Sequence, residues 1–239
     1  MAVLVKRLGV SEVTVRRYLE ELEQDEVLLR TYGGAVRSHS PVAPDFFFGE
    51  KAKKNRTAKQ AIARAAAGLI KENESIFLDT GTTTLEISRI LAGAGAPMTV
   101  VTNSLPIAAE LAGSPAVKIF LIGGLLRKEL LDFAGPSSEN EVARLSFHQA
   151  FLGVDGVSGT AGLTTTDEAT ARYEEAVIRR SRTINVVADS SKIGRISLIP
   201  YGEILKSPKP RRLITDANAS REEVAKLRAA GIEVRLVKP

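Results

Sequence analysis

Ser75-Ile76-Phe77-Leu78-Asp79-Thr80-Gly81-Thr82-Thr83-Thr84 decides how this sequence reads. A short apolar run closes on an acid, a Thr/Gly turn follows, and a helix is predicted to begin near Thr82. A strand that feeds a hydroxyl-rich turn at a helix N-terminus makes an anion cradle. The N–H groups of the first turn have no intrahelical partner, and the positive end of the helix dipole points the same way. Thr80, Thr82, Thr83 and Thr84 add hydroxyl donors, and Gly81 lets the backbone turn. The stretch therefore predicts a site for a phosphorylated small molecule.

Downstream, the same strand-then-helix rhythm repeats. Met98–Thr102 is predicted as a strand closing on Asn103-Ser104, which cap a helix through Leu111. Val117–Ile122 is a strand ending in Gly123-Gly124, and 125–133 is predicted to add an edge strand. A helix follows over Pro136–Leu145. Gln149–Val157 is predicted as one buried strand reaching the Asp155-Gly156 turn. Gly162–Asp167 leads into a long helix through Arg180, and strand Thr183–Asp189 ends at Ser190-Ser191-Lys192. A final unit runs through strand Arg212–Thr215, helix Ser220–Ala230 and strand Glu233–Val237. Short buried strands alternating with helices predict an α/β fold, a parallel sheet covered on both faces. Ligands in such sheets sit at the carboxyl ends of the strands. Asp79 to Thr84, Asn103, Gly123, Gly124, Asp155 and Lys192 all fall at those ends, and Lys192 can neutralise a phosphate as a point charge.

Upstream, Val3, Leu4, Val5 and Leu8 form a short helix closed by Gly9. Ser11 is a predicted N-cap for a second helix over 12–24, with Val15, Leu19 and Leu22 as its buried stripe. Thr14, Arg16, Arg17 and Tyr18 crowd the front of that helix. This is helix-turn-helix logic, in which the front of the second helix enters the major groove and arginines fork onto guanine or grip phosphate. The plainer reading is a solvated helix face, since Glu20, Glu21 and Glu23 follow. Residues 27–37 read as a hairpin with Gly33-Gly34 at its bend, and Arg30 and Arg37 suit a wing lying on a DNA backbone. Residues 1–37 are thus expected as the DNA-binding domain, 38–56 as linker and 57–239 as the ligand-binding domain. Phe46-Phe47-Phe48 is expected to plug against a neighbouring domain or subunit, and the basic run 50–56 to be solvated.

Composition bounds these readings. The 239 residues are 44% hydrophobic and carry a formal charge of +5, so nucleic-acid contact is permitted without being demanded. No apolar run approaches a membrane span and no signal-peptide pattern opens the chain. Cysteine is absent, which removes disulfides and thiol chemistry and fits a cytoplasmic protein. His39 and His148 are too far apart in sequence to suggest a metal site. No cofactor is predicted: the turn lacks the Gly-x-Gly-x-x-Gly spacing, and Asp79 would repel a pyrophosphate.

Val10-Ser11-Glu12-Val13-Thr14-Val15-Arg16-Arg17, with Leu19, Leu22-Glu23, Arg30 and Gly33-Gly34-Ala35, resembles the winged helix-turn-helix of DeoR-type bacterial transcription regulators. Leu78-Asp79-Thr80-Gly81-Thr82-Thr83, Val101-Thr102-Asn103-Ser104, Ile122-Gly123-Gly124, Phe151 to Gly156, Ala188 to Lys192 and Leu213 to Asp216 resemble the effector domain of the same family, in order. The resemblance implies a fold similar to ribose-5-phosphate isomerase and a phosphorylated sugar as effector. Phosphate would meet Thr80 to Thr84 and Lys192, while Asp79, Asn103 and Asp155 would face the sugar. It also implies a repressor of carbohydrate genes, with operator DNA as partner and a homo-oligomer, dimer or tetramer, reading two half-sites. The family carries Asp where this chain has Tyr18, and Glu and Lys where it has Arg172 and Glu174. It also carries a further helix ahead of the one opening this sequence. A two-helix remnant would leave Val3, Leu4, Leu8, Val13 and Leu19 under-covered, so the resemblance implies either an internal start, the simpler explanation, or an incomplete and poorly stable DNA-binding domain.

The alternative is an enzyme, a sugar-phosphate isomerase or deaminase, since Asp79, Asp155 and a Lys are parts that enolisation needs. No His lies near the predicted site in sequence, and a winged arm is redundant for an enzyme. The regulator is the stronger expectation, with no catalytic residues assigned.

Overall fold

The computed structural model describes residues 1–24, 28–31, 34–37, 44–209 and 211–239. Helix α1 (Ala2–Leu8) stops at Gly9, which turns left-handed at φ 65° and returns its N–H to Val5 O at 3.0 Å. A side chain there would be strained, so the glycine fixes the turn into α2 (Glu12–Gln24). Ser11 caps α2: its Oγ accepts from Thr14 N at 3.2 Å. Val15 and Leu19 are buried against α1 and the hairpin, whereas Leu22, expected in the same stripe, is exposed because the described neighbours leave it uncovered. Val3, Leu8 and Val13 are exposed as expected; Leu19 is not, and Leu4 is half-buried. Strands β1 (Leu28–Thr31) and β2 (Gly34–Arg37) pair antiparallel with Thr31 opposite Gly34. Gly34 is therefore the first residue of a strand and not part of the bend, while Gly33, like His39, lies outside the described residues. Part of the segment expected as linker is helix α3 (Pro44–Lys53), which rests on the body through half-buried Phe48. The Phe46 and Phe47 side chains lie outside the description.

The body runs in chain order through α4 (Arg56–Ala67), β3 (Ser75–Leu78), α5 (Thr82–Ala92), β4 (Met98–Thr102), α6 (Leu105–Leu111) and β5 (Val117–Leu121). A hairpin of β6 (Leu125–Arg127) and β7 (Asp132–Ala134) follows, then α7 (Pro136–Val142), β8 (Phe147–Leu152), β9 (Gly156–Ser158), β10 (Gly162–Thr165) and α8 (Glu168–Arg180). The chain closes with β11 (Ser181–Val187), β12 (Ile199–Tyr201), β13 (Arg211–Asp216), α9 (Arg221–Ala229) and β14 (Glu233–Val237).

Seven strands form one parallel sheet in the order β14-β13-β11-β8-β3-β4-β5. Alternate residues feed opposite layers. Ile76, Leu78, Phe151, Val187 and Ile214 meet α4, α5 and α6 on one face. Phe77, Ala150, Leu152, Val186 and Leu213 meet α7, α8 and α9 on the other. Phe77 is wholly buried, its ring 5.5 Å from Phe147 and 6.0 Å from Tyr173. Loss of such a ring typically costs about 3–5 kcal/mol.

Two expectations are corrected. Residues 125–133 form a separate antiparallel hairpin, not an edge strand, because the positive φ of Leu131 (55°) turns the chain back on itself. The predicted strand 149–157 is broken after Leu152. Its second part, β9, joins β10 and β12 in a small antiparallel sheet beyond the carboxyl edge.

Candidate functional site

The chain leaves β3 toward β4 and β5 on one side, and leaves β8 toward β11, β13 and β14 on the other. The boundary between β3 and β8 is therefore the switch point of the sheet, where the loops at the carboxyl ends diverge and open a crevice. Asp79 follows β3 and Gly153 follows β8; Gly153 N donates to Asp79 Oδ2 at 3.0 Å across that boundary. A neighbouring pair joins the next strand. Thr80 Oγ1 donates to Asn103 Oδ1 at 3.4 Å, and Asn103 Nδ2 donates to Phe133 O at 3.0 Å. Gly81 is the N-cap of α5, so the first-turn N–H groups at Thr82, Thr83 and Thr84 face the crevice end of a helix with no side-chain cap. Thr82 is half-exposed. Thr84 stands behind the cradle: it is buried, and its hydroxyl donates to Gly81 O at 2.9 Å.

The other predicted residues surround this centre less tightly. Gly123 and Gly124 are exposed at the end of β5. Gly124 has φ 149°, and a Cβ there would run into Ser138, whose hydroxyl donates to Gly123 O at 2.7 Å. Asp155 turns toward β10, its Oδ2 accepting from Thr165 Oγ1 at 3.0 Å and Thr166 N at 3.3 Å. Lys192 sits half-buried on a 3-10 turn that Asp189 caps through Ser191 N at 3.1 Å.

Several charged residues of the crevice were not singled out from the sequence. Lys59, in the first turn of α4, is buried, and its amine donates to Lys51 O. Burial pulls it down to about 8; Asp189 resists, while Lys192, Lys51 and Lys54 add to the shift. Lys59 and Lys192 therefore share one neighbourhood with Asp189, which Asn55 also reaches at 2.9 Å. The sequence held a signal: Lys59 occupies the apolar stripe of α4, three and four residues before Ile62 and Ala63. On the opposite side, Arg127 of the hairpin grips Asp132 at 2.8 and 2.6 Å and Asp167 at 2.5 Å. Beneath them lies Glu174, which burial and the nearby Asp79 push well above the usual carboxylate range. Arg172, its neighbour in sequence, points outward to Glu168 and Glu139. Asp79 itself is raised to about 7, chiefly by burial; the Gly153 N–H offsets this only in part, and Asp132 adds to it. The carboxyl edge thus carries a cationic flank and an acidic flank.

Two open grooves lie at the other edge of the sheet. One of about 430 Å³ is lined by Lys71, His148, Arg182 and Arg212, and one of about 310 Å³ by Arg64, Ile90 and Met98, both at the amino ends of strands. Among the described residues no acidic, His or Cys cluster suits a metal ion, and no helix is long and apolar enough to cross a membrane.

In the arm, the arginines are exposed and held loosely. Arg16 pairs with Glu12 at 2.7 Å; Arg17 lies 3.7 Å from Glu21 and 5.5 Å over the Tyr18 ring. Such exposed pairs are worth about 0–1 kcal/mol and yield readily to phosphate. Ser11 and Thr14 use their hydroxyls on each other, 2.9 Å apart, at the helix cap. Arg30 and Gly34 lie on the paired strands of the hairpin.

The sequence matches two family models: a DeoR-like helix-turn-helix domain over residues 2–41 and a DeoR C terminal sensor domain over residues 54–217. The chain belongs to the DeoR family. It is 34% identical over 231 residues to the HTH-type transcriptional regulator GlpR of Haloferax volcanii, covering 97% of this chain and 88% of that one. It is 30% identical over 201 residues to the glycerol-3-phosphate regulon repressor of Escherichia coli K12, covering 84% and 79%. Among solved structures it is similar to ribose 5-phosphate isomerase A of Methanocaldococcus jannaschii, at 18% identity over 64% of this chain and 58% of that one, with a TM-score of 0.43. This DeoR-family chain is a DNA-binding transcription regulator, and its relatives are regulators too.

Proposed function

We propose that this protein represses carbohydrate-metabolism genes and that a phosphorylated sugar, bound at the β3/β8 switch point, sets its affinity for operator DNA. The observation that carries the reading is the two-sided carboxyl edge. The uncapped N-terminus of α5 with Lys59 and Lys192 suits a phosphate. Asp79, Asn103 and Asp155 suit sugar hydroxyls. The working form is a cytoplasmic homo-oligomer, because helix-turn-helix modules read paired half-sites through a two-fold axis. Residues 1–37 bind DNA and 57–239 bind effector. Regulation is then linkage: effector and DNA favour different arrangements, with a coupling of about 1–3 kcal/mol.

The test pairs two variants on the full chain. Arg17→Ala should weaken operator binding by roughly 1–3 kcal/mol in fluorescence anisotropy at fixed salt, with the effector response retained. Thr82→Val should leave operator binding intact and remove the response to sugar phosphates. A response that survives Thr82→Val would place the cradle elsewhere. Turnover of ribose 5-phosphate by the purified protein would replace the regulator with the isomerase reading.

A further inference from the structure

The two lysines proposed for the phosphate, Lys59 and Lys192, also adjoin the segment that joins the arm to the body. Helix α3 ends at Lys53, so the carbonyls of its last turn have no partner within the helix. One of them, Lys51 O, accepts from the Lys59 amine of α4. A lysine only 6% exposed thus reaches from the body to cap the negative end of α3. Asn55 makes a second tie. It turns left-handed at φ 54° as the N-cap of α4, yet its side chain does not cap that helix. The amide instead donates to Asp189 Oδ1 at 2.9 Å, beyond the end of β11. The same oxygen accepts from Ser191 N at 3.1 Å, and Asp189 O accepts from Lys192 N at 3.0 Å.

The joining segment is itself basic. Lys51 and Lys54 stand within electrostatic reach of the Lys59 amine, as do Lys192 and Asp189. Their side chains are exposed. Lysines gathered from two parts of the chain repel one another, which weakens the junction. A phosphate among them reverses the sign, because each lysine is then drawn to one shared anion. Phe48 of α3 packs on the core, and α3 lies against α5, whose N-terminus forms the cradle. A merely solvated face, the plainer role for the run 50–56, does not call for a buried lysine capping α3 or an asparagine diverted from its own helix.

We propose that residues 51–55 are a strap that phosphate tightens: the anion held by Lys59 and Lys192 recruits Lys51 and Lys54, and so fixes α3 and the DNA-binding arm ahead of it against the body. The proposal rests on the proposed sugar-phosphate site and adds the route by which its occupancy reaches the arm. Linkage makes the effect mutual: a bound phosphate holds the strap, and a held strap tightens the phosphate.

Hydrogen exchange and calorimetry on the full chain test it, with inorganic phosphate, glycerol 3-phosphate and ribose 5-phosphate as probes. Every probe that binds should slow amide exchange across α3 by about threefold or more. Lys51→Met combined with Lys54→Met should weaken the probe about threefold or more and remove the protection. Lys51→Arg combined with Lys54→Arg should restore both. Asn55→Gly keeps the left-handed turn and deletes the amide. It should speed α3 exchange in the ligand-free protein, and the probe should bring the protection back. In the Met pair, the effector-induced change in operator affinity, typically about 5–150-fold, should fall below about twofold. A probe that binds without slowing α3 exchange, or that binds the Met pair as tightly as the parent, would overturn the strap and leave the phosphate site standing. If no probe binds, inorganic phosphate included, strap and site fall together.

Discussion

The two ends of the seven-stranded sheet share strands, layers and core, yet they treat polar groups in opposite ways. At the amino end the grooves are wide and the Gln149 amide is fully engaged. Gln149 donates to Leu69 O at 2.9 Å and to Glu74 at 2.7 Å, and accepts from Asn185 at 3.1 Å. Arg212 then bridges Asn185 at 3.3 Å and Glu233 at 2.8 Å. At the carboxyl end buried titratable groups gather. Asp79, Glu174 and Lys59 are pushed toward neutrality by burial, Tyr201 approaches Glu174, and the Tyr173 hydroxyl finds no hydrogen-bond partner among the described residues. Groove size therefore points to one edge, and buried titratable groups point to the other. Helix direction explains the split. Crossover helices bring their N-termini to the carboxyl edge, where free N–H groups and positive dipole ends favour ligands.

The comparison can be broken most sharply at Asp79. Between about pH 4 and 7 the native state holds a proton that the unfolded chain has released, so this group's contribution to stability is lost as pH rises through that window. Asp79→Asn removes the loss. Urea titrations near pH 5 and near pH 8 should show the variant gaining on the parent by about 3 kcal/mol at the higher pH. Parallel pH profiles would mean that Asp79 is solvated and the two edges are alike.

The amino edge should answer differently. Gln149→Leu leaves Leu69 O without its donor and Asn185 Nδ2 with Ala150 O alone, so unfolding free energy should drop by about 1–3 kcal/mol, with effector affinity untouched. A shifted effector affinity would move the site to the wide groove. Arg182→Met, on the rim of that groove, should change stability and effector binding by less than about 0.5 kcal/mol. A larger effect on effector binding than on stability would expose an anion site on that edge.

Much of this was legible beforehand. The apolar runs Ile76 to Leu78 and Val100-Val101 announce buried parallel strands, and Asp79-Thr80-Gly81 announces the turn. Ser11 and Ser104 act as caps where the sequence places them, Ser104 accepting from Ile107 N at 3.5 Å. Other features were not legible. β12 has only three residues and pairs with β10, far away in sequence, so no local pattern marks it. Leu22 fits the stripe of α2 yet is exposed, since periodicity predicts a face and not what covers it. Glu174 reads as one acid among the Glu168, Glu174 and Glu175 of a helix; only packing shows that it alone is sealed in.

The sequence by itself determined the layered α/β body, the helix-turn-helix arm and the position of the Thr80–Thr84 turn, because backbone propensity, capping and apolar spacing are local. Strand order was not local. Only the tertiary structure set β3 beside β8, so that Asp79 meets Gly153 across the switch point, and only it buried Lys59 and Glu174 on opposite flanks of the crevice. Charge becomes chemistry there through desolvation, which depends on everything packed around a group and is written in no short stretch of chain.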